Sequence, residues 1–311
     1  MGTLFSALDI AHSGMRSAQV QLDVTGHNIA NVNNEDFSRQ RVTLTAFDPI
    51  SRPYGQVGRG VNVSRIERVR DELMDRVYRD QVPGLGRAQI QDRFFAQLED
   101  LFQEPTASGF STRLDQFFNA MNDFANNVEE YPVREALIAE GQTVAANLNE
   151  LAQRIDSLRT NVNDEIEDMV PQINSLARRI SESNDVVRRL EAVGQKANDA
   201  RDARDALIDD LAEIANIDAI EREDGQVDVL INGEQLVTAT RYRELETLRD
   251  TTIDPDRPDF LSVYFVDTGT QLNITSGELY GATHMRDVEL ANAADRIDEI
   301  ARALIQSIND T

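Results

Sequence analysis

The first thirty residues place Leu4, Leu8, Ala11, Met15, Ala18, Leu22, Thr25 and Ile29 at alternating steps of four and three, the spacing that keeps one stripe of a helix turned toward a partner. Several stripe positions are small, which lets a neighbouring backbone come close, and Asp9, His12, Arg16, Gln19 and Asp23 occupy the opposite face. The spacing therefore predicts one long amphipathic helix whose seam needs covering. After it, Asn31, Asn33, Asn34 and Asp36 tolerate left-handed and turn conformations and so end the helix. Residues 41–47 and 57–66 then alternate around a loop holding Pro53 and Gly55, which predicts a β-hairpin.

Helical spacing returns at Val69, Leu73 and Val77 and resumes at Ile90, Phe94, Leu98 and Leu101. Between them, Pro83-Gly84-Leu85-Gly86 is expected to kink or interrupt the helix. A further amphipathic helix from about Ser111 sets Leu114, Phe117, Phe118, Met121 and Phe124 on one side, a stripe that reads as core. The longest periodic stretch, about 133–190, passes through Leu137, Val144, Leu148, Leu151, Ile155, Leu158 and Val162 and on to Val187 and Leu190. At ~1.5 Å per residue it makes a rod of about 85 Å, which Pro171 is expected to kink or split into two collinear pieces. A helix over 199–215 turns Ala203, Leu207, Leu211 and Ile214 inward and leaves its Asp and Arg residues as a solvated face.

The character changes at Ile217. Asp224-Gly225 and Asn232-Gly233 accept the positive φ angles of tight turns and separate 217–221, 227–231 and 235–240, a three-stranded meander to which 261–266 and 271–274 add strands. From Gly277 the spacing is helical again through Leu290, Ala294, Ile297, Ala301, Leu304 and Ile308, and it meets the last residues without a stop signal, as in a chain cut short. The expected class is mainly α, a long coiled-coil-like helical bundle with a small antiparallel β domain, α+β overall. The expected organisation is an N-terminal assembly helix and motif over 1–40, a long-helix rod domain over 41–215 joined by the helix 277–311, and a small β-rich domain over 216–276.

Composition narrows what such a chain does. With 311 residues, 41% of them hydrophobic, there is material for more than one core. The 31 basic and 55 acidic residues give a formal charge of −24, which disfavours nucleic acid and anionic membrane as partners. Cysteine is absent, which removes disulfides, thiolate metal sites and thiol nucleophiles. The N-terminus lacks the basic and long apolar regions of a cleaved signal peptide, and no later run approaches the roughly 18 apolar residues of a membrane span.

Chemistry-bearing patterns are missing as well. His12, His27 and His284 have no metal-ligand spacing, and neither a phosphate-cradling glycine loop nor a nucleophile with an evident base is present. The acidic run at 198–205 is interrupted by Arg201 and Arg204 and lacks the glycine and closing glutamate of a calcium loop. No catalytic, cofactor-binding or metal residues and no cofactor are expected, and the reading is of a structural protein and not an enzyme.

The segment His27-Asn28-Ile29-Ala30-Asn31 with Asn34-Glu35-Asp36-Phe37-Ser38-Arg39-Gln40 resembles the signature shared by flagellar rod, hook and hook-associated proteins, where Asn-Ile-Ala-Asn precedes Asn-Thr-Pro-Gly-Tyr. Here Asn34-Glu35-Asp36-Phe37 replaces the Thr-Pro-Gly-Tyr turn, and Ser38-Arg39-Gln40 is similar to the hook-associated protein 1 family in particular. Gly58-Arg59-Gly60-Val61, Arg134-Glu135-Ala136-Leu137-Ile138 and Arg201-Asp202-Ala203-Arg204-Asp205-Ala206-Leu207 also resemble segments of that family.

The resemblance implies a structural subunit of the bacterial flagellum that joins hook to filament by helix-mediated self-assembly. It implies an extracellular place at the hook–filament junction, reached by type III export without a cleaved signal peptide. The implied partners are further copies in an axial ring, the hook protein, hook-associated protein 3, and a flagellar export chaperone through a C-terminal part beyond Thr311, which also supplies a helix to pair with the first. Leu4, Leu8, Met15, Leu22 and Ile29 then form the assembly seam, and Asn28, Asn31, Phe37, Ser38 and Arg39 fix how the terminal helix joins the rest. Two alternatives remain at this point. A flagellar hook or rod subunit shares the early motif but turns β-rich soon after it, and a coiled-coil scaffold or adhesin explains the heptads but not Asn28 to Asn31.

Overall fold

The computed structural model describes residues 2–102 and 109–309. In chain order the elements are α1 (Gly2–Ala30), β1 (Gln40–Ala46), β2 (Ile50–Arg52), β3 (Gly55–Val57), β4 (Val61–Arg68), α2 (Glu72–Phe102), α3 (Phe110–Asn126), α4 (Tyr131–Ala192) and α5 (Asn198–Ile214). There follow β5 (Ile217–Glu221), β6 (Val227–Ile231), β7 (Glu234–Thr238), β8 (Arg241–Tyr242), β9 (Leu245–Arg249), β10 (Leu261–Phe265), α6 (Glu278–His284), a π-helical turn (Met285–Glu289) and α7 (Leu290–Asn309). This is the mainly helical class with small antiparallel sheets that the hydrophobic spacing predicts.

The chain divides into two compact units. The first holds residues up to Asp80 with Ser175–Ala212 and Ile217–Arg243, and the second holds Gln81–Asn174, Glu213–Asn216 and the residues from Glu244. Strands β5 to β8 fall in the first and β9 and β10 in the second, so the stretch 216–276, expected as one β-rich body, is shared between them.

In the first unit, β1 and β4 pair antiparallel with a register shift between Thr43 and Leu44, and β2 and β3 form a short second hairpin at the tip, Ile50 opposite Val57. The four-stranded sheet has the order β5-β6-β7-β8. Its β6–β7 turn has positive φ at both Asn232 (48°) and Gly233 (84°), the conformation that makes Asn-Gly a hairpin signal. Ile180 and Val187 of α4, Ile208 and Leu211 of α5, and Val229, Ile231 and Val237 of the sheet are fully buried. The Asn184 amide is buried among them. It donates to the carbonyls of Val227 (2.8 Å) and Ala239 (2.6 Å), and its Oδ1 accepts from Val227 N–H (3.0 Å) and from the Arg204 guanidinium (3.2 Å).

In the second unit the expected interruption at Pro83 does not occur, and α2 runs on as one helix. Val82, Pro83, Gly86, Ile90 and Phe94 are buried there. A side chain at Gly86 would lie 2.5 Å from the Glu213 carbonyl, so the glycine that weakens the helix is what admits the end of α5 against it. Strands 261–266 and 271–274 do not extend the meander: β10 pairs with β9, and the second is reduced to a single bridge between Tyr264 and Gln271. Arg286, on the π-helical turn, is buried with its guanidinium over the Phe260 ring, 5.0 Å from the centroid, and donating to Asn163 Oδ1 and the Leu261 carbonyl, both at 2.8 Å. On α3, Phe117 is buried but Phe118, expected in the same stripe, is exposed.

Pro171 does not split the long helix either; α4 is continuous. A proline inside a helix costs about 3 kcal/mol, whereas burying one large apolar side chain returns about 1.5–3 kcal/mol. Met169, Val170 and Ile173 flank Pro171 and are all buried, while the proline itself faces outward. Packing on the inner face outweighs the missing N–H.

Candidate functional site

The predicted seam of α1 lies on the outside. Leu8, Met15, Leu22 and Ile29 are between 59% and 72% exposed; the side chain of Leu4 lies outside the described residues. The contact of α1 with its own unit uses another face, where Ser13, Ser17, Val20, Val24 and His27 recur at steps of four and three and are buried or half-buried. Ser13 Oγ donates to the Ile10 carbonyl (2.8 Å) and accepts from Val61 N–H (3.2 Å) at the start of β4. Gly60, at φ +100°, makes this approach possible: a Cβ there would fall 2.2 Å from Ser13 Oγ. The sequence reading missed this face because it is small and polar; its recurrence at heptad spacing is the signal that could have found it.

The last turn of α1 is clamped to the strand that follows. Asn28 Nδ2 donates to the Gln40 carbonyl (2.9 Å) and Asn28 Oδ1 accepts from Gln40 N–H (2.8 Å). Asn31 Nδ2 donates to the His27 carbonyl (3.0 Å), closing the helix end. The His27 ring meets Phe37 edge-on with centroids 5.1 Å apart, and its Nε2 lies 3.5 Å from Asp199. Ser38 N–H donates to Asp202 (3.0 Å) and Gln40 Nε2 to Asp199 (2.6 Å), so the motif is tied to the first two turns of α5. The side chain of Arg39 is exposed, and its carbonyl accepts from Val69 N–H (2.7 Å).

Here the expectation for α5 is overturned. Its charged residues do not form a solvated face: Asp202, Arg204 and Asp205 are buried. Arg68 Nη1 binds Asp202 (2.8 Å) and Asp205 (2.7 Å), Arg70 Nε binds Asp75 (2.6 Å), and Arg79 Nε binds Asp209 (2.6 Å). Asn198 Nδ2 adds a bond to the Ile66 carbonyl (3.1 Å). Hydrophobic spacing cannot see this face, because Asp202, Asp205 and Asp209 are matched by arginines from a distant segment.

Burial would lower the Arg70 guanidinium, but the carboxylates of Asp75, Asp205 and Asp209 hold it above its ordinary value. Burial raises the Asp209 carboxyl against the pull of Arg79. Arg204 is pushed down to about 10 by burial, and its Nε and Nη2 have no hydrogen-bond partner among the described residues. Beside it, the Arg201 guanidinium is raised by hydrogen bonds to Glu191 and, after the cost of burial, to Glu221.

These bonds tie the end of α1 to β1 and to α5; they do not assemble a nucleophile, a base or a phosphate cradle. Among the described residues no three His, Cys, Asp or Glu side chains are grouped to hold a metal ion, and no helix is long and apolar enough to cross a membrane.

Residues 95–311 match the profile of the flagellar hook-associated protein FlgK helical domain, and residues 8–36 match that of the flagella basal body rod protein. Flagellar hook-associated protein 1 of Bacillus subtilis (strain 168) is 30% identical over 224 residues, covering 70% of this chain and 44% of that protein. Flagellar hook-associated protein 1 of Escherichia coli (strain K12) is 27% identical over 317 residues, covering 98% and 56%. The chain thus spans about half the length of the curated relatives it matches. Among solved structures, the flagellar hook junction protein FlgK from Burkholderia pseudomallei has a similar fold, with a TM-score of 0.57 at 22% identity over 70% of this chain and 39% of that one.

Proposed function

The chain belongs to the flagellar hook-associated protein family, and on that premise we propose that it is a structural subunit of the bacterial flagellum, joining hook to filament by helix-mediated self-assembly. The observation that carries this reading is the two-faced first helix. One face of α1 meets its own hairpin, where Ser13 accepts from Val61 N–H and Ser17 and Val24 are buried, while Leu8, Met15, Leu22 and Ile29 remain uncovered. Covering such a stripe contributes roughly 25 cal/mol per Å² of apolar surface, and in this reading neighbouring subunits and a second terminal helix cover it.

Within this reading Leu4, Leu8, Met15, Leu22 and Ile29 are the assembly seam. Asn28, Asn31, Phe37 and Ser38 hold α1 at the angle the assembly needs, with Arg39 at the outer edge. The long helix and the small sheets form the outer wall. The partners are further copies in an axial ring, the hook protein and hook-associated protein 3, with a flagellar export chaperone acting before export. The protein works outside the cell at the hook–filament junction, reaches it through the type III channel without a cleaved signal, and performs no catalysis.

The test is Leu22→Asp, introduced into the full-length protein of a motile bacterium. Leu22 is 72% exposed, so the variant is expected to fold and be secreted while its filaments fail to attach. Normal motility in that strain would remove the reading.

A further inference from the structure

The first turns of α2 are arranged inside out. Asp75 and Arg79 face inward, their side chains only 24% and 14% exposed and engaged with Arg70 and Asp209. Leu73, Met74, Val77 and Tyr78, at positions i, i+1, i+4 and i+5, all face solvent, Met74 at 65%. A helix normally turns its apolar stripe to the core. Here a buried ion-pair network occupies that side, and an apolar stripe is left for something else to cover.

The same unit carries a second exposed apolar feature, the β2–β3 tip. Ile50 and Val57 stand opposite each other across the short hairpin and are both exposed, and Tyr54 in its turn is 81% exposed. The two features differ in charge. Around the tip the exposed charges are Arg52, Arg59 and Asp48, a surplus of one positive, whereas the start of α2 and the residue before it expose Asp71, Glu72 and Asp80 against Arg76, a surplus of two negatives. An aromatic flanked by cations at the end of a hairpin is complementary to an apolar helix face flanked by carboxylates.

We propose that the outward face of α2 is a docking surface for the β2–β3 tip of a second copy of this chain, with Tyr54 seated among Leu73, Met74, Val77 and Tyr78. The contact is proposed as head-to-tail: each copy then presents one tip and one stripe to different neighbours, so the contact propagates around a ring or along a helix. It rests on the self-assembly proposed above but uses none of the α1 seam residues, so the two can fail separately.

The chain contains no cysteine, so two introduced thiols report the contact directly. Full-length chain carrying Tyr54→Cys is mixed with chain carrying Tyr78→Cys, assembled and mildly oxidised, with assembly followed independently by sedimentation. A control mixture pairs Tyr54→Cys with Glu182→Cys, an exposed position elsewhere on the unit. The expected result is a cross-linked pair of copies for 54 with 78 at several-fold the yield of the control, falling when Arg52→Glu is added and as salt is raised. Assembly without preferential cross-linking would overturn this contact and leave the proposed function standing. Cross-linking of position 78 to Leu22→Cys instead would assign the stripe to a neighbouring α1 and overturn it too. Failure of the unaltered chain to assemble would overturn both.

Discussion

Asn28 grips both backbone groups of Gln40: its amide nitrogen donates to the carbonyl at 2.9 Å and its oxygen accepts from the N–H at 2.8 Å. One side chain on the last turn of α1 thereby sets where β1 begins. Replacing it by aspartate keeps the acceptor but turns a carboxylate oxygen toward the Gln40 carbonyl. Asn28→Asp is expected to lower stability by about 1–3 kcal/mol, read as a shift in the urea midpoint, whereas an unchanged midpoint would show that the clamp is incidental.

Two glycines two residues apart on α2 should respond with opposite sign. At Gly84 an added Cβ meets nothing within 4 Å, and at Gly86 it meets the Glu213 carbonyl at 2.5 Å. Gly84→Ala is expected to stabilise by about 0.5–1 kcal/mol through helix propensity. Gly86→Ala is expected to destabilise by about 1–3 kcal/mol through overpacking. Thermal melting of the two variants side by side decides it, and equal shifts would mean that α5 does not approach here.

Asp205 sits among Arg68 (2.7 Å), Arg70 (3.7 Å) and Arg79 (3.9 Å). Removing it leaves three arginines sharing one buried carboxylate fewer, although Arg68 keeps Asp202, Arg70 keeps Asp75 and Arg79 keeps Asp209, so Asp205→Ala is expected to cost about 1–3 kcal/mol. A loss below about 0.5 kcal/mol, the usual effect of a surface substitution, would return α5 to the solvated face that its spacing suggested.

The Glu191 carboxyl is pushed up by burial, but the hydrogen bond and charge of Arg201, the Ala197 N–H and the charge of Lys196 together more than reverse this and leave it below the ordinary value. A carboxyl whose pKa is depressed in the fold contributes stability that is present above the ordinary glutamate value of about 4.3 and is lost as pH falls through the depressed value. Denaturant midpoints measured from pH 7 downward should therefore fall less steeply in Glu191→Gln than in the unaltered chain. Superimposable acid limbs would show that the pair is solvated. Asp209, raised by burial, works in the opposite sense: its fold favours the protonated form, and stability declines as pH rises through its range.

The exposed apolar stripe of α1, the Asn232-Gly233 turn, the length of α4 and the family were all legible in the residues. Each is a local signal, carried by neighbours in sequence or by a repeat every three or four positions. The face with which α1 touches its own hairpin was not legible, because Ser13, Ser17 and His27 carry no hydrophobic signature. Nor was the pairing of β10 with β9, since Leu245–Arg249 has one buried residue and little alternation.

What the sequence by itself determined is the period of every long helix and the apolar stripe each presents, because periodicity is written in the chain and does not depend on what lies opposite. The tertiary structure alone decided which stripe is covered. Charges on α5 went inside because Arg68, Arg70 and Arg79 arrive from more than a hundred residues away to neutralise them, and that left the apolar face of α2 outside. Pro83 and Pro171 stayed within helices because the apolar side chains buried beside them outweigh a lost hydrogen bond, a balance that exists only once the neighbours are in place.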